Sequence, residues 1–120
     1  MTFNEKYKDN ALLIKTFNFS LKIIDYTEAL QEKKKFVIAN QLLKSGTSIG
    51  ANSKEAQNAE SKADFIHKLK IGVKELNETE VWLRIIIASN MQTAGKIAPL
   101  LDECRQLQRI IGASIATARK

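Results

Sequence analysis

An all-α fold, arranged as an antiparallel up-down-up-down four-helix bundle, is what this sequence predicts, and three observations predict it. Apolar residues recur at spacings of three and four in four successive segments and never sustain the alternation of a strand. The chain has 120 residues, 44% of them hydrophobic, enough for one domain built around one core. One proline and five glycines leave little material for long loops. A single domain over residues 1–120 follows.

The first helix is expected around Leu12 to Leu30. Leu12, Thr16, Phe19, Ile23, Tyr26 and Leu30 form one stripe, and Leu13, Phe17, Ser20 and Ile24 form a second beside it. Two adjacent stripes make a face wide enough to touch two neighbouring helices. The charged tract Glu32 to Lys35 reads as a solvated turn. A second helix, roughly Lys35 to Asn58, gathers Ala39, Leu42, Leu43, Gly46, Ile49, Gly50, Ser53 and Ala56, with large residues first and small ones last.

Ser61, followed three residues later by Asp64, resembles a capping box and opens the third helix. Its stripe is Phe65, Leu69, Gly72, Leu76, Thr79, Leu83 and Ile86. The pattern fades near Asn90, and Thr93 to Lys96, with Gly95, is the expected loop. Pro99 then fits the first turn of the fourth helix, where a missing N–H costs least. Ile97, Leu100, Leu101, Cys104, Leu107, Ile111, Ile115 and Ala118 form that helix's apolar face. Four such helices with short connections bury their stripes most simply as a bundle.

Composition also narrows the function. Cys104 is the lone cysteine and has no partner for an intrachain disulfide, and Met1 to Asn10 lacks the apolar core of a signal peptide, so a cytoplasmic protein is expected. No run approaches the ~20 apolar residues that span a bilayer. The strongest, Val81 to Ala88, is short and interrupted by Arg84, so no membrane association is expected.

Gly46 and Gly50 lie one turn apart inside the second helix, each costing ~1 kcal/mol relative to alanine. Close approach of another helix would offset that cost. The approaching surface is either an intramolecular neighbour or a subunit or ligand. SGTSIG is not a phosphate loop: no strand precedes it, and the Gly-Lys pair of that motif is absent.

The runs SGTSIGAN, EAQNAESKADFIHKL and KELNETEVWL carry a specific resemblance. They are similar to the hallmark of the small bacterial four-helix-bundle proteins called the 23S rRNA intervening-sequence, or S23, family. The resemblance spans essentially the whole chain and is strongest from Leu42 to Leu83. It implies an antiparallel bundle, and some members are encoded within insertions in large-subunit ribosomal RNA genes. Related accessory proteins of diversity-generating retroelements form a basic homopentameric barrel that binds nucleic acid and a reverse transcriptase. The resemblance therefore implies a homo-oligomer, a pentamer by that analogy, with RNA or DNA and a reverse transcriptase as candidate partners. Ser53 and Lys54 depart from the family pattern, which has an apolar and a small residue there.

Charge supports a polyanion partner independently. The net charge is +6, and beyond Glu103 the chain carries Arg105, Arg109, Arg119 and Lys120 without another acid. Arg105 and Arg109 share a helix face, and Lys15 and Lys22 extend the positive charge if the first and last helices adjoin. Repeated around an oligomer, this patch would become a ring of potential able to hold phosphates with little sequence selectivity. The same basicity is also common among soluble lysine-rich proteins, and the fourth helix has no aromatic residue for base stacking.

No catalytic residue, cofactor site or metal site is expected. Di-iron bundles need two Glu-x-x-His pairs plus further carboxylates, and this chain has only His67, in the short pair Asp64 to His67. Cys104, in an apolar stripe, reads as a small hydrophobe. Glu75 and Glu78 share a flank with Lys68 and Lys74 close enough to form ordinary ion pairs. Ile71, Trp82 and Ile85 lie beside the main stripe of the third helix, where they either widen the core contact or anchor a subunit interface. Two functions are carried forward: an oligomeric nucleic-acid-binding accessory protein, and an oligomeric protein-interaction module.

Overall fold

A computed structural model of the chain describes residues 1–91 and 94–120. Its helices are α1 (Phe3–Lys6), α2 (Ala11–Glu32), α3 (Phe36–Ala56), α4 (Lys62–Ala88) and α5 (Ala94–Ala118). The four long helices pack in a ring, α2 on α3, α3 on α4, α4 on α5, with α5 closing more sparsely onto α2. At 1.5 Å per residue α4 alone spans about 40 Å. The longest molecular extent is 44 Å, so the helices run lengthwise as a bundle.

The stripes meet in one core. Phe19, Ile23, Leu42, Ile49, Leu76, Leu83, Ile97 and Ile111 are almost wholly removed from solvent. Each large aliphatic side chain so buried contributes about 1.5–3 kcal/mol relative to exposure. Among the described residues, five buried serine and threonine side chains interrupt the apolar surface, and the hydroxyls of all five have partners. Thr16, Thr27, Ser53 and Thr79 donate to carbonyls on their own helices, at 2.8–2.9 Å. Ser45 Oγ lies 2.9 Å from Thr79 Oγ1, a hydroxyl pair that ties α3 to α4. Ser53, the first residue of the family departure, is thus buried with its hydrogen bond satisfied. The ammonium of Lys54 sits 5.6 Å from the centre of the Tyr7 ring, within cation–π range.

The helix ends follow local chemistry. Asn10 Oδ1 accepts from the Leu13 N–H at 3.2 Å and opens α2, and Ser61 Oγ accepts from the Asp64 N–H at 3.0 Å and opens α4. The reciprocal half of the expected box differs, because the Asp64 carboxylate accepts from the N–H of Glu60 rather than Ser61. α2 and α4 both close with a left-handed residue, Lys34 (φ 61°) and Asn90 (φ 58°). At each end the following N–H reaches back to the third-last carbonyl, Lys35 to Leu30 at 2.9 Å and Met91 to Ile86 at 3.2 Å. The tract around Lys33 to Lys35 is therefore a tight reversal.

Three expectations need correction. α1 was not anticipated; it is held by a capping box between Thr2 and Glu5 and by Phe3 stacking on Phe17, ring centres 4.1 Å apart. α5 starts at Ala94, so Gly95 and Lys96 are helical and Pro99 falls in the second turn. There its missing N–H leaves the Gly95 carbonyl without its usual intrahelical donor. Buried Ile97 anchors that early start. Thr93, also expected in the loop, lies outside the described residues. Ile24, assigned to the second stripe of α2, is 37% exposed because it borders the groove between α2 and α3.

Candidate nucleic-acid interface

α5 buries Leu100, Cys104, Leu107 and Ile111 and turns Arg105 and Arg109 outward, one turn apart. Arg105 Nη1 donates to Asp102 Oδ1 at 3.1 Å. On the α4 side of α5, the Gln108 amide donates to Glu80 Oε1 at 3.0 Å and Asn77 Oδ1 at 3.2 Å, while Arg84 Nε donates to Glu80 Oε2 at 3.0 Å. The Gln108 bond first, and then the Arg84 bond, hold the Glu80 carboxyl below its usual range. This polar ladder fixes the rotation of α5 against α4 and sets the direction in which its arginines point.

α2 does adjoin α5. Lys15 and Lys22 line a cleft of about 140 Å³ in that seam with Asn18, Phe19, Glu103, Gln106 and Leu107. Lys22 pairs with Glu103 Oε1, and the second carboxylate oxygen of Glu103 is buried without a partner. Arg119 and Lys120 lie at the far end of α5, where the Lys120 carbonyl accepts from Lys62 Nζ at 3.3 Å. The basic residues therefore form three groups: the seam, the outer face of α5, and the C-terminal end joined by Lys62. Sequence reasoning missed Lys62 and the countercharges Asp102 and Glu103. The separations of 58 and 81 residues in the Lys62 and Lys22 contacts leave no local signal. The exposed Arg105–Asp102 pair is worth only about 0–1 kcal/mol, so a phosphate can compete for that guanidinium.

The small-residue and tryptophan sites lie on the opposite side. A Cβ on Gly46 would meet Ile23 Cγ2 at 2.7 Å, so this notch is filled by α2 of the same chain. Gly50 lines the half-open groove between α2 and α3, where a Cβ would stand 3.4 Å from Ser20 Oγ. Ile71 and Trp82 are half-buried on the α3-facing flank of α4, and Trp82 borders a groove with Phe36, Val37, Ile38 and Gln41. Trp82 Nε1 donates to Glu78 Oε1 at 3.4 Å, and Ile85 is largely exposed one turn further along.

Burial, with the nearby Glu80 and Glu103 carboxylates, pushes the Cys104 thiol up to about 12. His67 is exposed, and among the described residues no three His, Cys, Asp or Glu side chains are grouped to hold a metal. Lys68 pairs with Glu55 of α3 at 3.4 Å, not with Glu75. No helix among the described residues is long and apolar enough to cross a membrane.

A model of the family described as 23S rRNA-intervening sequence protein matches residues 8–113. The chain belongs to that family. The match takes in α2, α3, α4 and most of α5, leaving outside it α1 and the terminal Arg119 and Lys120. A crystal structure of a protein of unknown function, from the S23 ribosomal protein family of Bacteroides thetaiotaomicron, is similar at a TM-score of 0.85 and 37% identity. That alignment covers 88% of this chain and 98% of the other. No curated protein matches. Of the basic groups, the seam lysines and Arg105 and Arg109 lie within the matched span.

Proposed function

We propose that this protein is a non-enzymatic, homo-oligomeric accessory protein that binds RNA or DNA through phosphate contacts from α5 and the α2–α5 seam. The observation that carries this proposal is the division of the surface. Among the described residues, the large hydrophobic side chains exposed to solvent, the terminal Met1 aside, all lie on α2, α3 and α4. α5 exposes none and carries Arg105, Arg109 and Arg119, in a chain of net charge +6. A helix without an exposed large hydrophobic side chain and furnished with guanidinium groups suits a polyanion. Arginine grips phosphate in two-pronged fashion, and the exposed pair at Arg105 exchanges readily for it.

Binding is backbone-directed, since no aromatic side chain stands on α5 to stack a base. The family resemblance extends the proposal to a pentamer and to a reverse transcriptase as protein partner. Titrating fluorescently labelled single-stranded RNA and duplex DNA with the protein at low salt tests it: saturable binding of either supports the proposal, and none at any protein concentration sinks it.

The alternative function, a protein-interaction module without nucleic acid, is favoured by the Trp82 groove, because tryptophan is enriched where partners dock. In that event the titration stays flat while the protein still self-assembles or captures a helical partner.

A further inference from the structure

The three basic groups border one apolar groove. Phe65 of α4 and Ile110, Ala113, Ser114, Thr117 and Ala118 of α5 line an open hollow of about 640 Å³, within the size range of ligand sites. Phe65 and Ile110 are half-buried against the core, and the Ser114 hydroxyl is committed to the Ile110 carbonyl at 3.0 Å. The hollow opens where α5 outruns α2. Counted from the Lys22–Glu103 pair, α2 reaches back eleven residues to Ala11 while α5 runs on fifteen to Ala118, about one turn further.

Cations rim this groove. Helical spacing puts Arg109 one turn before Ala113, Lys120 one turn after Thr117 and, on α4, Lys62 one turn before Phe65. The same count from the Lys22–Glu103 pair sets Lys15 of the seam level with Ile110. All four are exposed, and the acid nearest Phe65 in sequence, Asp64, is engaged by the N–H of Glu60. The surrounding half of the bundle has the same sign. Divided at the Lys22–Glu103 and Ser45–Thr79 contacts, the half made of residues 1–21, 46–78 and 104–120 holds twelve lysines and arginines against seven acids, which is five of the six net positive charges. An apolar floor alone would accept any apolar group; the cationic rim selects an anion that carries a flat apolar part.

We propose that this groove seats an unpaired base of single-stranded RNA or DNA, stacked on Phe65, with the adjoining phosphates on Arg109, Lys62 and Lys120. The proposal deepens, and rests on, the phosphate-binding part of the proposed function. α5 has no aromatic residue of its own, and α4 supplies one beside it. Every base has a π-face, so stacking of this kind tolerates any sequence, and the cations hold the strand by its backbone. A duplex keeps its bases paired and offers the groove only phosphates. The site therefore adds a preference for unpaired strands without reading their sequence.

Anisotropy titrations of the full chain with labelled single-stranded RNA and DNA, each beside an abasic strand of the same length and phosphate count, test this. The wild type is expected to bind at least one ordinary strand about fivefold or more tighter than its abasic counterpart, the lower end of what stacking one base supplies. Phe65→Leu, which keeps an apolar side chain against the core, is expected to bring the two affinities together. Should that variant lose its helical circular dichroism, Ala113→Gln with Thr117→Gln decides, since both positions are exposed and the neutral side chains fill the groove without changing its charge. It too is expected to abolish the preference. Equal affinity of the wild type for ordinary and abasic strands, or a preference that a folded groove variant retains, overturns the proposal while leaving phosphate binding standing. Binding of none of the strands overturns both.

Discussion

Ile23 of α2 occupies the space that a side chain on Gly46 of α3 would need: an added Cβ would stand 2.7 Å from its Cγ2 and 2.9 Å from its Cγ1. Ile23 is fully buried, branched at Cβ and stiff, so it has nowhere to retreat. Gly46→Ala is expected to destabilise the fold, since overpacking costs about 1–3 kcal/mol against the ~1 kcal/mol gained in helix propensity. Gly50→Ala is expected to stabilise or be neutral, because its Cβ would meet Ser20 Oγ at an ordinary 3.4 Å. Urea denaturation of both variants should show midpoints shifted in opposite directions, or at the least a loss confined to Gly46→Ala.

Cys104 is expected to resist alkylation in the folded protein and react rapidly in denaturant, followed with a thiol-specific chromogenic reagent. Its alkaline behaviour has a defined sign. Burial raises its pKa from the ordinary 9.0 to about 12, so from about pH 9 to 12 the unfolded chain gives up a proton that the folded one keeps. Stability is full below that window and falls as pH rises through it. Cys104→Ala, though less stable at neutral pH, should show a shallower decline, and an unchanged slope would argue against a buried thiol.

Tyr26 presents a buried hydroxyl with no hydrogen-bond partner, and burial raises its pKa from 10.0 to about 12. An unpaired buried polar group costs about 1–3 kcal/mol. Tyr26→Phe removes the hydroxyl and keeps the ring against the core. A rise in thermal midpoint is expected, together with a weaker loss of stability between about pH 10 and 12; a drop would mean that the hydroxyl has a partner in solution.

Most of the fold was legible because amphipathic periodicity is a local property of sequence. Leu69, Leu76, Leu83 and Ile86 declare the buried face of α4 without reference to the rest of the chain, and Ser61 declares its start. α1 had a signal too, the Thr2 to Glu5 spacing of a capping box, but four residues are too short for periodicity to register. Pro99 misled in the other direction: its preference for a first turn says nothing of Ile97, whose burial carries α5 back to Ala94. The candidate site was legible in composition and not in geometry. Arg105 and Arg109 fall on one face by spacing alone, whereas their separation from Lys15 and Lys22 depends on which side of α5 meets α2. The countercharge on Lys22 comes from Glu103, 81 residues away.

The proposed function gives the bundle two tasks, self-assembly and phosphate binding. Separating the tasks experimentally requires a readout that senses charge and not mass.

The salt dependence of nucleic-acid binding is that readout. Each phosphate neutralised by a cation releases counterions, and log Kobs falls with log salt by about 0.9 for each phosphate on duplex DNA and about 0.7 on a single strand. Anisotropy titrations of labelled RNA and duplex DNA across a salt series are expected to give affinity that falls steeply for the wild type. After Arg105→Ala with Arg109→Ala the decline should be shallower by about one to two such contacts. A wild-type affinity independent of salt, or a slope that the two substitutions leave unchanged, would contradict the assignment of α5 as the phosphate-binding face.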